Sequence, residues 1–133
     1  MTLKRLFTTI AVLEVPTGLA LLFAPLELAG VLLGATLQTA AALVIARVAG
    51  AALLALGFAC WLARNDGPSP AARGLIAALL LYNLAVATLL VHGAVGLQLD
   101  GVELWPAAVV HAAVAGWCVF TLRSKATGVV KEI

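Results

Sequence analysis

The sequence predicts an all-α integral membrane protein, a bundle of four antiparallel transmembrane helices that forms a single domain over residues 1–133. The first reason is composition: 64% of the residues are hydrophobic and 11% are charged, whereas a soluble domain has about 25% charged residues. The second is that the apolar residues form runs long enough to cross a hydrocarbon core of about 30 Å as helices. The third is the distribution of basic residues, which gives the chain one consistent orientation.

The predicted spans cover about residues 6–24, 40–62, 73–97 and 105–122. Glu14 and Pro16 interrupt the first run, so we expect a helix that is not removed as a signal peptide. We also expect this helix to be kinked and to end at Pro25. Residues 26–38 are too few for a further span, and we interpret them as a short helix or loop at the outer interface. The connection 63–72 is strongly polar, and its glycine and prolines mark a break between helices.

The basic residues predict the topology. Seven of the eight lie near a chain terminus or in or next to the connection 63–72, and they are Lys4, Arg5, Arg64, Arg73, Arg123, Lys125 and Lys131. The other two connections contain the acids Glu27, Asp100 and Glu103 and neither lysine nor arginine. The positive-inside rule therefore places both termini and the connection 63–72 in the cytoplasm.

The eighth basic residue, Arg47, and Glu14 are the formal charges inside the predicted spans. An arginine at this depth costs about 2.5–3.5 kcal/mol on insertion scales, so it requires a partner. Small residues beside both charges suit close packing, and we expect both side chains to point into the bundle. They could form a buried pair that fixes helix register. Alternatively, Glu14 binds a proton or cation, or Arg47 holds an anionic head group or carboxylate.

Depth along the helices, at about 1.5 Å per residue, sorts the intramembrane polar residues into two layers. Asn83 is expected to lie with Glu14 just inside the midplane, and His92 and His111 to lie with Arg47 in the outer half. Two histidines raise the hypothesis of haem ligation. However, consecutive helices of an up-down bundle lie about 8–10 Å apart, which leaves too little room for haem between them. We therefore expect hydrogen-bonded histidines, or histidines that line a ligand pocket, and no cofactor or metal.

Other residues in the spans have simple structural interpretations. Tyr82 adds a hydroxyl near the midplane, suited to an interhelical hydrogen bond. Trp117 packs in the core or lines a ligand pocket. Cys60 and Cys118 lie near the cytoplasmic helix ends, where small packing residues are favoured over a redox pair.

No phosphate-binding loop, catalytic triad pattern or zinc-protease motif is present in the sequence, which favours a protein that is not an enzyme. Basic patches interleaved with aromatic residues are also absent, which excludes nucleic acid as an expected partner. The expected partners are the lipid bilayer and either further copies of the chain or a larger membrane complex.

Several short patterns resemble those of small bacterial membrane proteins that are broadly DoxX-like. The patterns are E-V-P-T-G in the first span, A-R-V-A-G-A-A-L-L-A-L-G-F-A-C-W in the second, Y-N in the third and L-W-P-x4-H in the fourth. The resemblance covers most of the chain. It implies a four-helix protein of the bacterial inner membrane and lends no particular activity.

The pattern A-V-L-E-V around Glu14 also resembles the first helix of small multidrug resistance transporters. Those proteins have four spans and a membrane-embedded glutamate, so the resemblance implies a transport role for Glu14. The third span, L-Y-N-L-A-V-A-T, departs from that family's glycine- and aromatic-rich pattern. Arg47 is a second departure, because a nearby cation would compete with a cationic substrate for Glu14.

The sequence leaves three functions open. The first is a non-catalytic membrane subunit, or a bundle that binds a lipid, quinone or other amphiphile through its intramembrane polar residues. The second is a proton-coupled small-molecule transporter that uses Glu14. The third is a small membrane oxidoreductase that uses haem, a quinone or the cysteines. We expect the first, because the chain is short, its loops are minimal and its spans contain few polar residues.

Overall fold

The structure, a computed structural model, describes the backbone of residues 3–129 and the side chains of residues 3–124. Its helices are α1 (Leu3–Phe23), α2 (Pro25–Leu33), α3 (Ala40–Ala63), α4 (Pro70–Gly96) and α5 (Leu104–Val129). Four of them are long and apolar enough to cross a membrane, namely α1, α3, α4 and the Leu104–Ser124 part of α5. The prediction of an all-α fold is therefore confirmed over the described residues, and so is that of four helices long and apolar enough to be membrane spans. Lys131 and the side chain of Lys125, which support the topology prediction, lie outside the described residues.

Local sequence signals explain where the helices begin. The Thr39 side chain accepts a hydrogen bond from the Ala42 amide at 3.0 Å, and the Ser69 side chain accepts one from the Ala72 amide at 3.1 Å. Each bond satisfies an amide that has no partner within the helix. Pro70 occupies the first turn of α4, where a missing N–H removes no helical bond, so α4 begins earlier than its apolar run predicts.

The long helices associate as two pairs, α1 with α3 and α4 with α5. In the first pair the backbones approach closely at Gly18 and Gly50. A Cβ atom at either position would lie 2.7 Å from the carbonyl oxygen of the other glycine. Further along α3, Gly57 faces Val15, so later residues of α3 lie beside earlier residues of α1. Small residues at such contacts let helices pack by van der Waals interactions in a bilayer.

The two pairs are held together at one end by a buried apolar cluster. Its members come from all four long helices and are Leu6, Phe7, Ile10, Ala11, Cys60, Ala72, Ile76, Leu79, Val114 and Cys118. Both cysteines are free and fully buried there, which matches their interpretation as packing residues.

At the opposite end, α2 joins the pairs. The Glu103 amide donates a hydrogen bond to the Val31 carbonyl at 3.2 Å. Gly34 ends α2 in the left-handed conformation, with φ of 68°, and lies against the Asp100 side chain. Gly101 is buried against the Leu32 carbonyl. The α1–α3 and α4–α5 connections therefore contact each other directly, and the helix pairs are joined at both ends.

We predict that Gly50→Ala lowers the free energy of unfolding by about 1–3 kcal/mol, because the added methyl group would overlap backbone atoms of α1 that cannot move aside. Beyond the Gly18 oxygen, the nearest atoms are Leu21 Cβ at 2.9 Å and the Leu22 amide nitrogen at 3.0 Å. Thermal unfolding in detergent measures the change.

Gly116→Ala is the matched control, since a Cβ at Gly116 has no neighbour within 4 Å and alanine is the better helix former. Equal melting temperatures for the two variants would contradict the close approach of α1 and α3.

Candidate functional site

A cavity of about 550 Å³ lies between the two helix pairs. Most of its wall is apolar and comes from all four long helices, and Leu28 and Leu32 of α2 complete it. Its polar lining consists of Glu14, Thr17, Tyr82, Asn83, Glu103 and His111. The volume falls within the range of about 300–1,000 Å³ that is usual for small-molecule sites.

Glu14 lies in the middle of α1 and is only 6% exposed. The Tyr82 hydroxyl donates a hydrogen bond to Glu14 Oε2 at 3.4 Å, which links α1 of one pair to α4 of the other. Among the described residues the carboxyl group has no other hydrogen-bond partner. A carboxyl group keeps acceptor capacity in either protonation state. Glu14 can therefore accept a further hydrogen bond from a group in the cavity.

Asn83 and His111 form the second polar contact of the cavity. Asn83 is 2% exposed and its Nδ2 donates to the Leu79 carbonyl at 2.8 Å. Its Oδ1 lies 2.8 Å from His111 Nδ1. Because the amide N–H is used on Leu79, the oxygen accepts and His111 Nδ1 donates. In the neutral ring, Nε2 is then the acceptor.

The Tyr82 ring positions both contacts. It meets the His111 ring edge to face, with ring centroids 5.7 Å apart and planes at 80°. Aromatic pairs favour this arrangement because the positive edge of one ring meets the negative face of the other. Tyr82 thus contacts the imidazole through its ring and Glu14 through its hydroxyl, which makes Glu14, Tyr82, Asn83 and His111 one continuous cluster. We call these four residues the polar cluster.

The chemical character of the cavity follows from this arrangement. The acceptors that remain available in the polar cluster are the Glu14 carboxyl and His111 Nε2, and the donor that remains is the second Nδ2–H of Asn83. Glu103 adds a second carboxyl group, and neither lysine nor arginine is among the described residues that line the cavity. Such a lining favours a molecule whose head offers hydrogen-bond donors or a positive charge and whose remainder is apolar.

Arg47 does not join the polar cluster, and the prediction that its side chain points into the bundle is wrong. The side chain is exposed. The α3 residues that line the cavity include Ala49, and Arg47 lies about 200° around the helix from that position. Gly50 and Gly57 set the rotation of α3, because both must face α1. That rotation turns Arg47 to the outer flank.

His92 is also exposed and lies outside the cavity, with its ring over Gly96. The prediction that the intramembrane polar residues form two layers is wrong as well, since His111 bonds to Asn83.

The chain after α4 runs back along that helix: the Leu99 amide donates to the Gly93 carbonyl at 3.1 Å. As a result, α5 begins well below the end of α4, and Trp105 shares a groove with Thr88 and Val91. Depth counted from the ends of α4 and α5 therefore assigns Asn83 and His111 to different layers, although the two side chains are in contact.

Trp117 is partly buried, packs against the apolar cluster and is not among the residues that line the cavity. Its Nε1 is buried without a hydrogen-bond partner among the described residues.

Sequence reasoning missed Glu103 as a cavity residue. The signal was an acid directly before the apolar start of α5, but its position in the cavity depends on the contact with Val31 of α2. Within the described part of the chain, no three His, Cys, Asp or Glu side chains are grouped closely enough to hold a metal ion.

No protein-family model, curated protein or solved structure matches this chain. The resemblances to DoxX-like proteins and to small multidrug resistance transporters stay predictions.

We predict that neutral His111 carries its proton on Nδ1, because the Asn83 oxygen accepts there. The ¹⁵N chemical shifts of the imidazole nitrogens report the tautomer, and exposed His92 is an internal reference. Asn83→Leu removes the acceptor, so we expect the His111 tautomer preference to weaken and the unfolding free energy to fall by about 1–3 kcal/mol. A proton on Nε2 in the native protein would contradict the assigned hydrogen bond.

Proposed function

We propose that this protein is a non-catalytic membrane bundle that binds one amphiphile in the cavity between its helix pairs. The head of the ligand contacts the polar cluster, and its apolar part lies along the cavity walls. The observation that carries the proposal is the cavity itself, of about 550 Å³, which combines apolar walls with available acceptors on Glu14 and His111.

The membrane orientation is part of this proposal. The bundle has four antiparallel spans in the bacterial inner membrane, with both termini in the cytoplasm. Two observations support it. Leu3 and Ala63 both pack against the apolar cluster, so their basic neighbours Lys4 and Arg64 lie at one end of the bundle. The connections at the other end contain acids and neither lysine nor arginine, as the positive-inside rule requires of an outer side.

The acceptors define the head group. A protonated amine has three N–H donors and can donate to both Glu14 and His111, and each O–H of an alcohol or a quinol can donate to one of them. The carbonyl oxygens of a quinone would have only the second Asn83 Nδ2–H in the polar cluster to accept from. We therefore propose a hydrogen-bond-donating amphiphile. Glu103 adds a further acceptor at the cavity wall near the start of α5.

Native mass spectrometry of the protein, gently extracted from its own membrane, tests the binding function. We expect a bound small molecule whose occupancy falls about tenfold or more in both Glu14→Gln and His111→Ala. The first change replaces one carboxyl oxygen by an NH2 donor, and the second removes the Nε2 acceptor. Lipid extraction and fragmentation identify its head group.

The matched controls are Glu27→Gln and His92→Ala, which change the same residue types at exposed positions outside the cavity. Both should keep the occupancy of the native protein. A bare protein mass, or equal losses in the cavity variants and the controls, would contradict the proposal.

A proton-coupled transporter is the second candidate, and the orientation of Arg47 favours it. The argument against a cationic substrate was competition from Arg47, and the exposed side chain on the outer flank of α3 removes that argument. Haem ligation by the two histidines, one form of the oxidoreductase alternative, has no comparable support, because exposed His92 does not share the cavity with His111.

Proteoliposomes that contain a pH-sensitive dye separate binding from transport. For a binding protein we expect no substrate-driven proton flux above that of empty vesicles. A flux that Glu14→Gln abolishes and Glu27→Gln preserves would instead assign transport.

A further inference from the structure

A second surface feature lies on the membrane-facing side of the α1–α3 pair. It is an apolar groove of about 470 Å³. Its lining consists of Ala11, Val12, Val15, Pro16, Phe58 and Trp61. Val12 and Phe58 are each 61% exposed, so the groove is open to its surroundings. It lies apart from the cavity, with which it shares no lining residue.

Basic residues stand at one end of this groove. Leu3 and Ala63 both pack against the apolar cluster, which brings the adjoining Lys4 and Arg64 to the same end of the helix pair. Lys4 and Arg5 precede Val12 by about two helical turns and lie on the same face of α1. Lys4 and Arg5 are exposed and Arg64 is partly exposed.

Trp61 connects the basic end to the groove. Its ring lines the groove, and the Arg64 guanidinium lies over that ring, 3.6 Å from the centroid. Arg64 also donates to the Trp61 carbonyl in the last turn of α3. A guanidinium has five N–H donors, so most of them stay available. Stacking holds the charged plane at the mouth of the groove, where tryptophan typically marks the membrane interface.

We propose that this surface binds one anionic phospholipid from the leaflet at this end of the bundle. Arg64, with Lys4 and Arg5, contacts the phosphate and head group, and one acyl chain lies in the groove as far as Pro16. The length is suitable, because Lys4 and Pro16 are about 18 Å apart along α1, close to half of a hydrocarbon core of about 30 Å. Arginine pairs with phosphate through parallel N–H donors, and juxtamembrane basic clusters attract anionic lipids.

The charges favour a lipid over a second copy of the chain. A second copy would have to offer acidic groups at the same membrane level as Arg64. Among the described residues, Asp66 in the connection 63–72 is the one acid near the level of Arg64, and it would meet three basic groups, Lys4, Arg5 and Arg64. Glu14 is buried, and Glu27, Asp100 and Glu103 lie at the opposite end. A lipid supplies both the phosphate and the apolar chain that the groove requires.

Native mass spectrometry with added dioleoyl phosphatidylglycerol and dioleoyl phosphatidylcholine tests the proposal, because these lipids share acyl chains and differ in head-group charge. We expect one phosphatidylglycerol to bind about tenfold or more tightly than phosphatidylcholine. Arg64→Gln should remove most of that preference. Val12→Trp, at an exposed position that fills the groove, should weaken binding of both lipids.

Arg73→Gln is the matched control, since Arg73 is an exposed arginine near the start of α4, in the other helix pair. It should keep the preference of the native protein. Equal affinity for the two lipids, or equal effects of Arg64→Gln and Arg73→Gln, would overturn the proposal. Unchanged lipid binding in Val12→Trp would also overturn it. So would a native protein that binds no lipid and whose number of subunits falls in Val12→Trp, because the groove would then be a contact between copies of the chain.

Discussion

The burial of the Glu14 carboxyl group between the two helix pairs is the constraint on which the polar side of the cavity depends. A carboxyl group buried at this depth needs an internal partner, because hydrocarbon supplies none. Tyr82 is on α4 and Glu14 on α1, so this partner comes from the other helix pair. Asn83 and His111 fix the same level within the second pair, at 2.8 Å. The buried polar groups thus define both how the pairs meet and where the cavity has its polar wall.

Packing explains why a cavity can lie between the pairs. The apolar cluster joins them at one end, and the contacts of α2 with the α4–α5 connection join them at the other. Within the first pair, the approach of Gly18 to Gly50 leaves α3 against α1 rather than across the cavity. Apolar walls gain dispersion contacts when a hydrocarbon chain fills the space between them. The same fold therefore leaves a partly open cavity between the helix pairs and a separate apolar groove on the α1–α3 pair.

Hydropathy and charge made the four apolar helices predictable, because both are properties of composition along the chain. Glu14, Tyr82, Asn83 and His111 were also predictable as candidates, since polar residues in a span are rare and need partners. The directions of Arg47 and His92 were not. They depend on which helices pair and on how glycine contacts rotate α3. The sequence of a single helix predicts neither the pairing nor the rotation. The contact of His111 with Asn83 required the backward course of the chain after Gly93.

The central claim is that the cavity between the helix pairs binds an amphiphile. Its most direct test is a crystal structure of the protein, extracted from its own membrane and crystallised in a lipid phase. We predict elongated density between the helix pairs, with its polar end within hydrogen-bond distance of Glu14 and His111. Contact of α3 with α4, with the space between the pairs filled by their side chains, would contradict the account.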